Sequence, residues 1–143
     1  MSPDRFLDTN VLVYANSEGD HRAAIARRLL LDGGVVGVQA LNEFASVARS
    51  KLAMTWAEVQ EAIEAIVILC PNPRPLSIET HRRALELCRR YGLSIWDGLI
   101  VAAAAEARCS MLLTEDLQHG QVVDGVRIEN PFLGPIQGER RPC

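Results

Sequence analysis

Short apolar runs alternate along this chain with longer stretches of helical periodicity, and that order limits the fold more than any other feature. Arg5, Phe6 and Leu7 form a run that ends at Asp8 and reads as a buried strand. Helical spacing follows over residues 10–15 and 21–31, up to Gly33 and Gly34. Residues 35–38 read as a second strand, followed by helices over 40–52 and 55–69, the latter with Thr55 as its N-cap. The segment Pro71–Asn72–Pro73–Arg74–Pro75 breaks the pattern as a turn. A helix over 77–91 ends at Gly92, a good C-cap, and another begins at Ser94 and runs to 108. Residues 111–114 make a third strand and 126–128 a fourth, edge-like one. This order predicts an α/β three-layer sandwich, a mostly parallel central sheet flanked by helices. Residues 1–133 are the expected domain, and 134–143, rich in Gly, Pro and Arg, a flexible C-terminal tail.

The 143 residues, 48% apolar and 23% charged, suit one globular core. No apolar run approaches the ~20 residues that cross a bilayer. The opening residues lack the pattern of a secretory signal, so a cytoplasmic location is expected. Cys70, Cys88, Cys109 and Cys143 form no CxxC pair, which argues against structural zinc and a disulfide framework. Cys88 and Cys109 read as small core residues. A net charge of −3 is unusual for a nucleic-acid binder. However, all the basic residues but Lys51 are Arg, which grips phosphate bidentately, and a carboxylate cluster built to hold cations inflates the acidic count.

Asp8 closes the first strand and Asp116 follows the third; Asp97 lies one turn into a helix, and Glu43 near the start of another. Each has an ordinary explanation: Asp8 and Asp116 as turn or cap residues, Glu43 as the flank of an apolar stripe, Asp97 as partner of Ser94 in a capping box. Yet all four fall at or just after a strand's carboxyl end or near a helix start, places that face the same side of a parallel sheet flanked by helices, where such sheets gather their sites. Converging carboxylates repel one another and would in part stay protonated without a counter-ion. A hard divalent cation such as Mg²⁺ removes that conflict and can position a phosphate and activate water, so phosphodiester hydrolysis is the expected chemistry. His21, His81 and His119 share no metal-ligand spacing, and no nucleophile elbow occurs.

Phe6–Leu7–Asp8–Thr9–Asn10–Val11–Leu12–Val13–Tyr14–Ala15 resembles the opening of PIN domains. Leu41–Asn42–Glu43–Phe44, the run from Ser94 to Ala104 through Trp96–Asp97–Gly98, and Leu112–Leu113–Thr114–Glu115–Asp116 are similar to the motifs that follow in that family. The likeness runs in order from about Phe6 to Phe132, and Tyr91–Gly92–Leu93–Ser94 resembles its VapC branch. The resemblance implies a Mg²⁺- or Mn²⁺-dependent endoribonuclease, the toxin of a toxin–antitoxin pair, usually a homodimer silenced by a VapB-type antitoxin. It implies metal ligation and catalysis by Asp8, Glu43, Asp97 and Asp116. Thr9 and Asn10 would assist by hydrogen bonds, and Ser94 would orient Asp97.

Other readings meet specific obstacles. A haloacid-dehalogenase-type phosphatase needs a second Asp where Asn10 stands and a Lys after a later strand; a response-regulator receiver lacks the same lysine. Neither GxGxxG nor GK[ST] occurs. A non-catalytic PIN-like domain binding RNA or protein is the alternative, though all four acids are present. The helices over 40–69 carry Phe44, Val47, Trp56, Ile63 and other apolar residues, either as ordinary core or as part of an antitoxin groove near a dimer contact. Arg89 and Arg90, just before the turn into Ser94 and Asp97, either position RNA phosphate or complement the helix dipole.

Overall fold

The computed structural model describes residues 4–133. Among them the chain forms, in order, β1 (Arg5–Leu7), α1 (Thr9–Ala15), α2 (Arg22–Asp32), α3 (Val38–Ser50), α4 (Trp56–Leu69), α5 (Ile78–Tyr91), α6 (Ile95–Glu106), β2 (Met111–Leu113), β3 (Val122–Val123) and β4 (Val126–Glu129). The sheet order is β1-β2-β4-β3. β1 pairs parallel with β2, β2 parallel with β4, and only β3 runs antiparallel, against β4.

The strands are short, yet their alternation divides the interior into two cores, as the period of a pleated strand requires. Phe6, Leu112 and Ile128 lie in register and pack on one face with Ala84 and Leu87 of α5 and Val101 and Ala104 of α6. Leu7 and Leu113 point to the other face, against Val11 and Leu12 of α1, Phe44 of α3 and Ile66 of α4. This is the three-layer α/β sandwich expected from the sequence. On the α3–α4 side, Phe44, Val59 and Ile66 are core, and Leu52, Ile63 and Val67 are half-buried against it; Val47 is half-buried at the edge of a cleft, and Trp56 and Ile68 face solvent. Most of the surplus apolar surface read from these two helices is therefore ordinary core.

The expected second strand, 35–38, is not a regular strand. Val35 bridges Phe6, Gly37 bridges Arg74, and Val38 already opens α3. The segment splits its backbone hydrogen bonds between β1 on one side and Arg74 on the other, so neither pairing extends into a ladder. β3 is an addition that the sequence did not announce. Cys109 is buried, but Cys88 is only half-buried and donates from Sγ to the Ser94 carbonyl at 3.2 Å. Helices α5 and α6 cross closely at Gly98, where a Cβ would stand 2.7 Å from Cys88 Sγ and 2.9 Å from the Ala84 carbonyl oxygen. No described helix is long and apolar enough to cross a membrane. The proposed tail, 134–143, with Cys143, lies outside the described residues.

Because β1, β2 and β4 run parallel, their carboxyl ends open on one side of the sheet. From β1 the chain first goes to the Val35 bridge on one side and later returns as β2 on the other. The end of β1 is thus a point where the winding reverses, the usual place for a crevice in an open α/β sheet.

Candidate metal centre

Asp8 sits at that point. Its extended backbone makes it the N-cap of α1, where Oδ1 accepts the Thr9 backbone N–H at 2.7 Å. The other carboxylate oxygen, Oδ2, accepts the hydroxyl of Thr114 at 2.7 Å. Thr114 is fully buried just past β2, and its hydroxyl also accepts the backbone N–H of Asp116 at 3.0 Å and Asn10 Nδ2 at 3.3 Å. One donor and two lone pairs exhaust a hydroxyl, so Thr114 is fully engaged in tying the end of β1 to the turn after β2.

Glu43 joins from α3. Its Oε1 accepts the Thr9 hydroxyl at 2.6 Å, and Oε2 lies 3.4 Å from Gln39 Nε2, one turn earlier on the helix. Asp116 accepts Asn10 Nδ2 at 3.3 Å. Asp8, Glu43 and Asp116 therefore belong to one network, with Thr9, Asn10 and Thr114 as its joints, beside a cleft of about 410 Å³. A larger hollow of about 690 Å³, lined by Glu18, Glu58 and Glu61 among others, contains none of these acids.

Asp97 is placed differently. The Ser94 hydroxyl caps α6 by accepting the Asp97 backbone N–H at 3.1 Å. Only this half of the expected capping box forms, and the Asp97 carboxylate takes no hydrogen bond within the described residues. Ser94 thus orients Asp97 through the backbone rather than through its side chain. The carboxylate is near enough to Asp116 for its charge to be felt there.

Burial pushes the Asp8 carboxyl up to about 6, with the charges of Asp116 and Glu43 adding to the rise and the bonds from Thr114 and Thr9 opposing it. Asp116 is also raised, by the protein atoms crowding it and by Glu115, Asp97 and Glu43, against the bond from Asn10. All four acids are therefore coupled electrostatically. A second network lies alongside: Tyr14 donates to Glu115 at 2.6 Å, and Arg22 reaches Glu115 at 3.3 Å and stacks 4.3 Å over the Tyr14 ring. Desolvation, reinforced by Glu115, pushes the Tyr14 phenol to about 12 and keeps it a donor.

Among the described residues, no three carboxylate, imidazole or thiol side chains stand as close together as ligands around one ion. Mg²⁺ does not need three, since it is commonly held by one or two carboxylates and several waters. The donor set suits a hard cation: oxygen atoms only and negative, with Asp8 and Asp116 pushed toward protonation by burial first and by neighbouring carboxylates after it. The buried Oδ1 of Asn10, which has no hydrogen-bond donor, adds a further oxygen at the same place. The residues fit the group.

Thr114 and Gln39 were missed as site residues. Thr114 carried a signal, a hydroxyl placed between a buried apolar run and an acidic turn; Gln39 carried none beyond its spacing from Glu43. Arg89 and Arg90 occupy the last turn of α5, before the left-handed Gly92. Both are exposed, and Arg90 lies 5.3 Å over the Tyr91 ring. Nothing places either against the four acids.

The profile of the PIN domain matches residues 5–124, and the chain belongs to the PIN-domain family. No curated protein sequence matches it. Among solved structures, it is similar to a toxin–antitoxin complex from Klebsiella pneumoniae, with a TM-score of 0.68 and 20% identity over 90% of this chain and 98% of the other. FitAcB from Neisseria gonorrhoeae gives 0.64 and 17% identity, over 90% and 99%. The Mycobacterium tuberculosis toxin VapC20, which cleaves the sarcin–ricin loop, gives 0.60 and 17%, over 76% and 86%. At these identities the likeness is one of fold.

Proposed function

We propose that this protein is a Mg²⁺- or Mn²⁺-dependent endoribonuclease, acting in the cytoplasm as a VapC-type toxin of a toxin–antitoxin pair. The observation that carries the reading is the coupled carboxylate network at the reversal point of the sheet. It holds Asp8 near half-ionised at about pH 6, a cost of burial and like charge that a cation offsets. The similarity of fold to toxin–antitoxin proteins supports the biological role and a VapB-type antitoxin as partner; assembly as a homodimer belongs to the same reading. An apolar groove of about 260 Å³ between α2 and α4, with Leu31 and Leu69 on its walls, suits an antitoxin helix.

Asp8, Glu43, Asp97 and Asp116 would hold the ion. When bound, it supplies positive charge that draws in the scissile phosphate, acidifies water and steadies the departing oxygen. Thr9 fixes the rotamer of Glu43, and Thr114 that of Asp8. Asn10 holds Asp116 in reach while presenting its own amide oxygen inward. Tyr14 and Arg22 restrain Glu115, the neighbour of Asp116. Arg89 and Arg90 add phosphate grip. Replacing both by Ala should flatten the salt dependence of RNA binding by roughly 0.7 per lost contact in log–log slope; an unchanged slope would leave them as complements of the helix dipole.

Purified protein stripped with chelator should not cleave single-stranded or looped RNA. Mg²⁺ or Mn²⁺ should restore cleavage, whereas zinc should be no structural requirement. Undiminished cleavage in excess EDTA would refute the metal assignment.

A further inference from the structure

We propose that the cleft on the far side of Glu43 is a nucleobase subsite, in which a base next to the scissile phosphate stacks on Trp96 while Gln39 and Asn42 read its edge. The inference rests on the nuclease reading and deepens it. The cleft has a volume of about 570 Å³, within the ~300–1,000 Å³ typical of small-molecule sites. Its walls are Trp96, Leu76, Pro75 and Val38, with Gln39, Asn42 and Glu43 along α3.

Trp96 is 63% exposed, Leu76 51% and Val38 40%. Exposure at Trp96 differs from exposure at the chain's other tryptophan. Trp56 carries the Arg49 guanidinium 4.9 Å over its ring, whereas Trp96 has no ring or cation partner among the described residues. Trp96 also immediately precedes Asp97, so α6 delivers an open indole face and an acid of the candidate centre together.

The chemistry of the walls selects the occupant. Among the described residues no Lys or Arg lines the cleft, so its walls offer no cation for a phosphate and suit a neutral, flat group. Gln39 and Asn42 are three apart on one face of α3, and each carboxamide offers a donor and an acceptor side by side, the pairing that base edges present. Unpaired bases are bound in this way, stacked on an aromatic ring and hydrogen-bonded at their edge. Glu43 lines both this cleft and the one beside the carboxylate network, so the two adjoin at that side chain. A base seated here would leave its backbone directed at the acids.

The test uses a Trp56→Phe background, in which Trp96 is the only indole. Its emission is titrated at low salt, in chelator, with octaribonucleotides of A, C, G or U. Cleavage of a mixed-sequence single-stranded RNA is measured in parallel with Mg²⁺. Saturable quenching is expected. Trp96→Ala should raise KM roughly 5- to 150-fold, the scale of one base stacked on an aromatic ring, with kcat little changed. Trp96→Phe should recover most of that loss, and Gln39→Ala or Asn42→Ala should reorder the preference among the four oligomers. If the parent cleaves but the emission is inert and Trp96→Ala keeps its KM, the subsite is refuted and the nuclease reading stands. If the parent cleaves no RNA with Mg²⁺ or Mn²⁺, the nuclease reading fails and the subsite with it. If the emission changes with protein concentration alone, and sedimentation shows Trp96→Ala turning a dimer into a monomer, the cleft is a contact between copies and the proposal is overturned.

Discussion

Asp8, Glu43 and Asp116 are held through hydrogen bonds from Thr9, Asn10 and Thr114, whereas Asp97 is held by its helix alone. The first three are positioned by side chains, and their geometry depends on every joint. The fourth is positioned by backbone, and its carboxylate has no hydrogen-bond partner among the described residues. The difference separates two things that a substitution can do at one site: remove a ligand, or loosen the frame that aims it.

Asp97→Asn tests the first most sharply. It keeps the capped backbone N–H and the shape while removing charge. Cleavage should fall by more than about 100-fold, beyond the ~10- to 100-fold typical of groups that only orient ligands. The melting temperature should stay level or rise, because repulsion with Asp116 is relieved. A fully active variant would remove Asp97 from the centre, and an unfolded one would make it a structural cap after all.

Thr114→Val tests the second. The methyl fills the volume, but Asp8, Asn10 and the Asp116 N–H lose a shared partner. Stability should drop by about 1–3 kcal/mol, the usual penalty for stranding buried polar groups, and cleavage should fall by roughly 10- to 100-fold. Loss of stability with wild-type cleavage would separate the frame from the chemistry.

The smallest effect is the pH response. Asp8 has its folded pKa raised from 3.8 to about 6, so between those values the folded protein binds more protons than the unfolded chain. Stability without metal should therefore fall as pH rises from about 4 to 6, the reverse of a salt-bridged aspartate. Asp8→Asn should flatten that slope in chemical denaturation, and saturating Mg²⁺ should flatten it too. A metal-free protein that grows more stable across the window would contradict the assignment.

Much of this arrangement was legible before any coordinates. Asp8 and Asp116 follow short apolar runs that read as strands within an alternating α/β order, and the fold rule then sends both to one edge of a parallel sheet. Glu43 and Asp97 were readable through the family motifs, though their local patterns alone suggested a helix flank and a cap. The frame was harder. Thr114 looks like an ordinary residue at a strand end, because its role comes from three partners, two of which lie about a hundred positions away in sequence. Residues 35–38 have the apolar content of a strand, but a strand needs a neighbour along its length, and here two different neighbours each take a part. β3, two residues long, has too few positions to show any periodicity.

The missing side chain at Gly98 reaches further than packing. Because the Ala84 carbonyl oxygen is backbone, it cannot swing aside as a flexible side chain would, and a methyl at position 98 would force α6 away from α5. Asp97 is the adjacent residue, with no side-chain tether among the described residues to hold it back. A displacement of ~1 Å in a reacting group can cost about 100-fold in rate. Sequence drift in this lineage therefore meets an asymmetric constraint. An exposed position of α5 such as Leu85 has room for a larger side chain, while the smallest residue in α6 fixes the distance from which the acid before it must act.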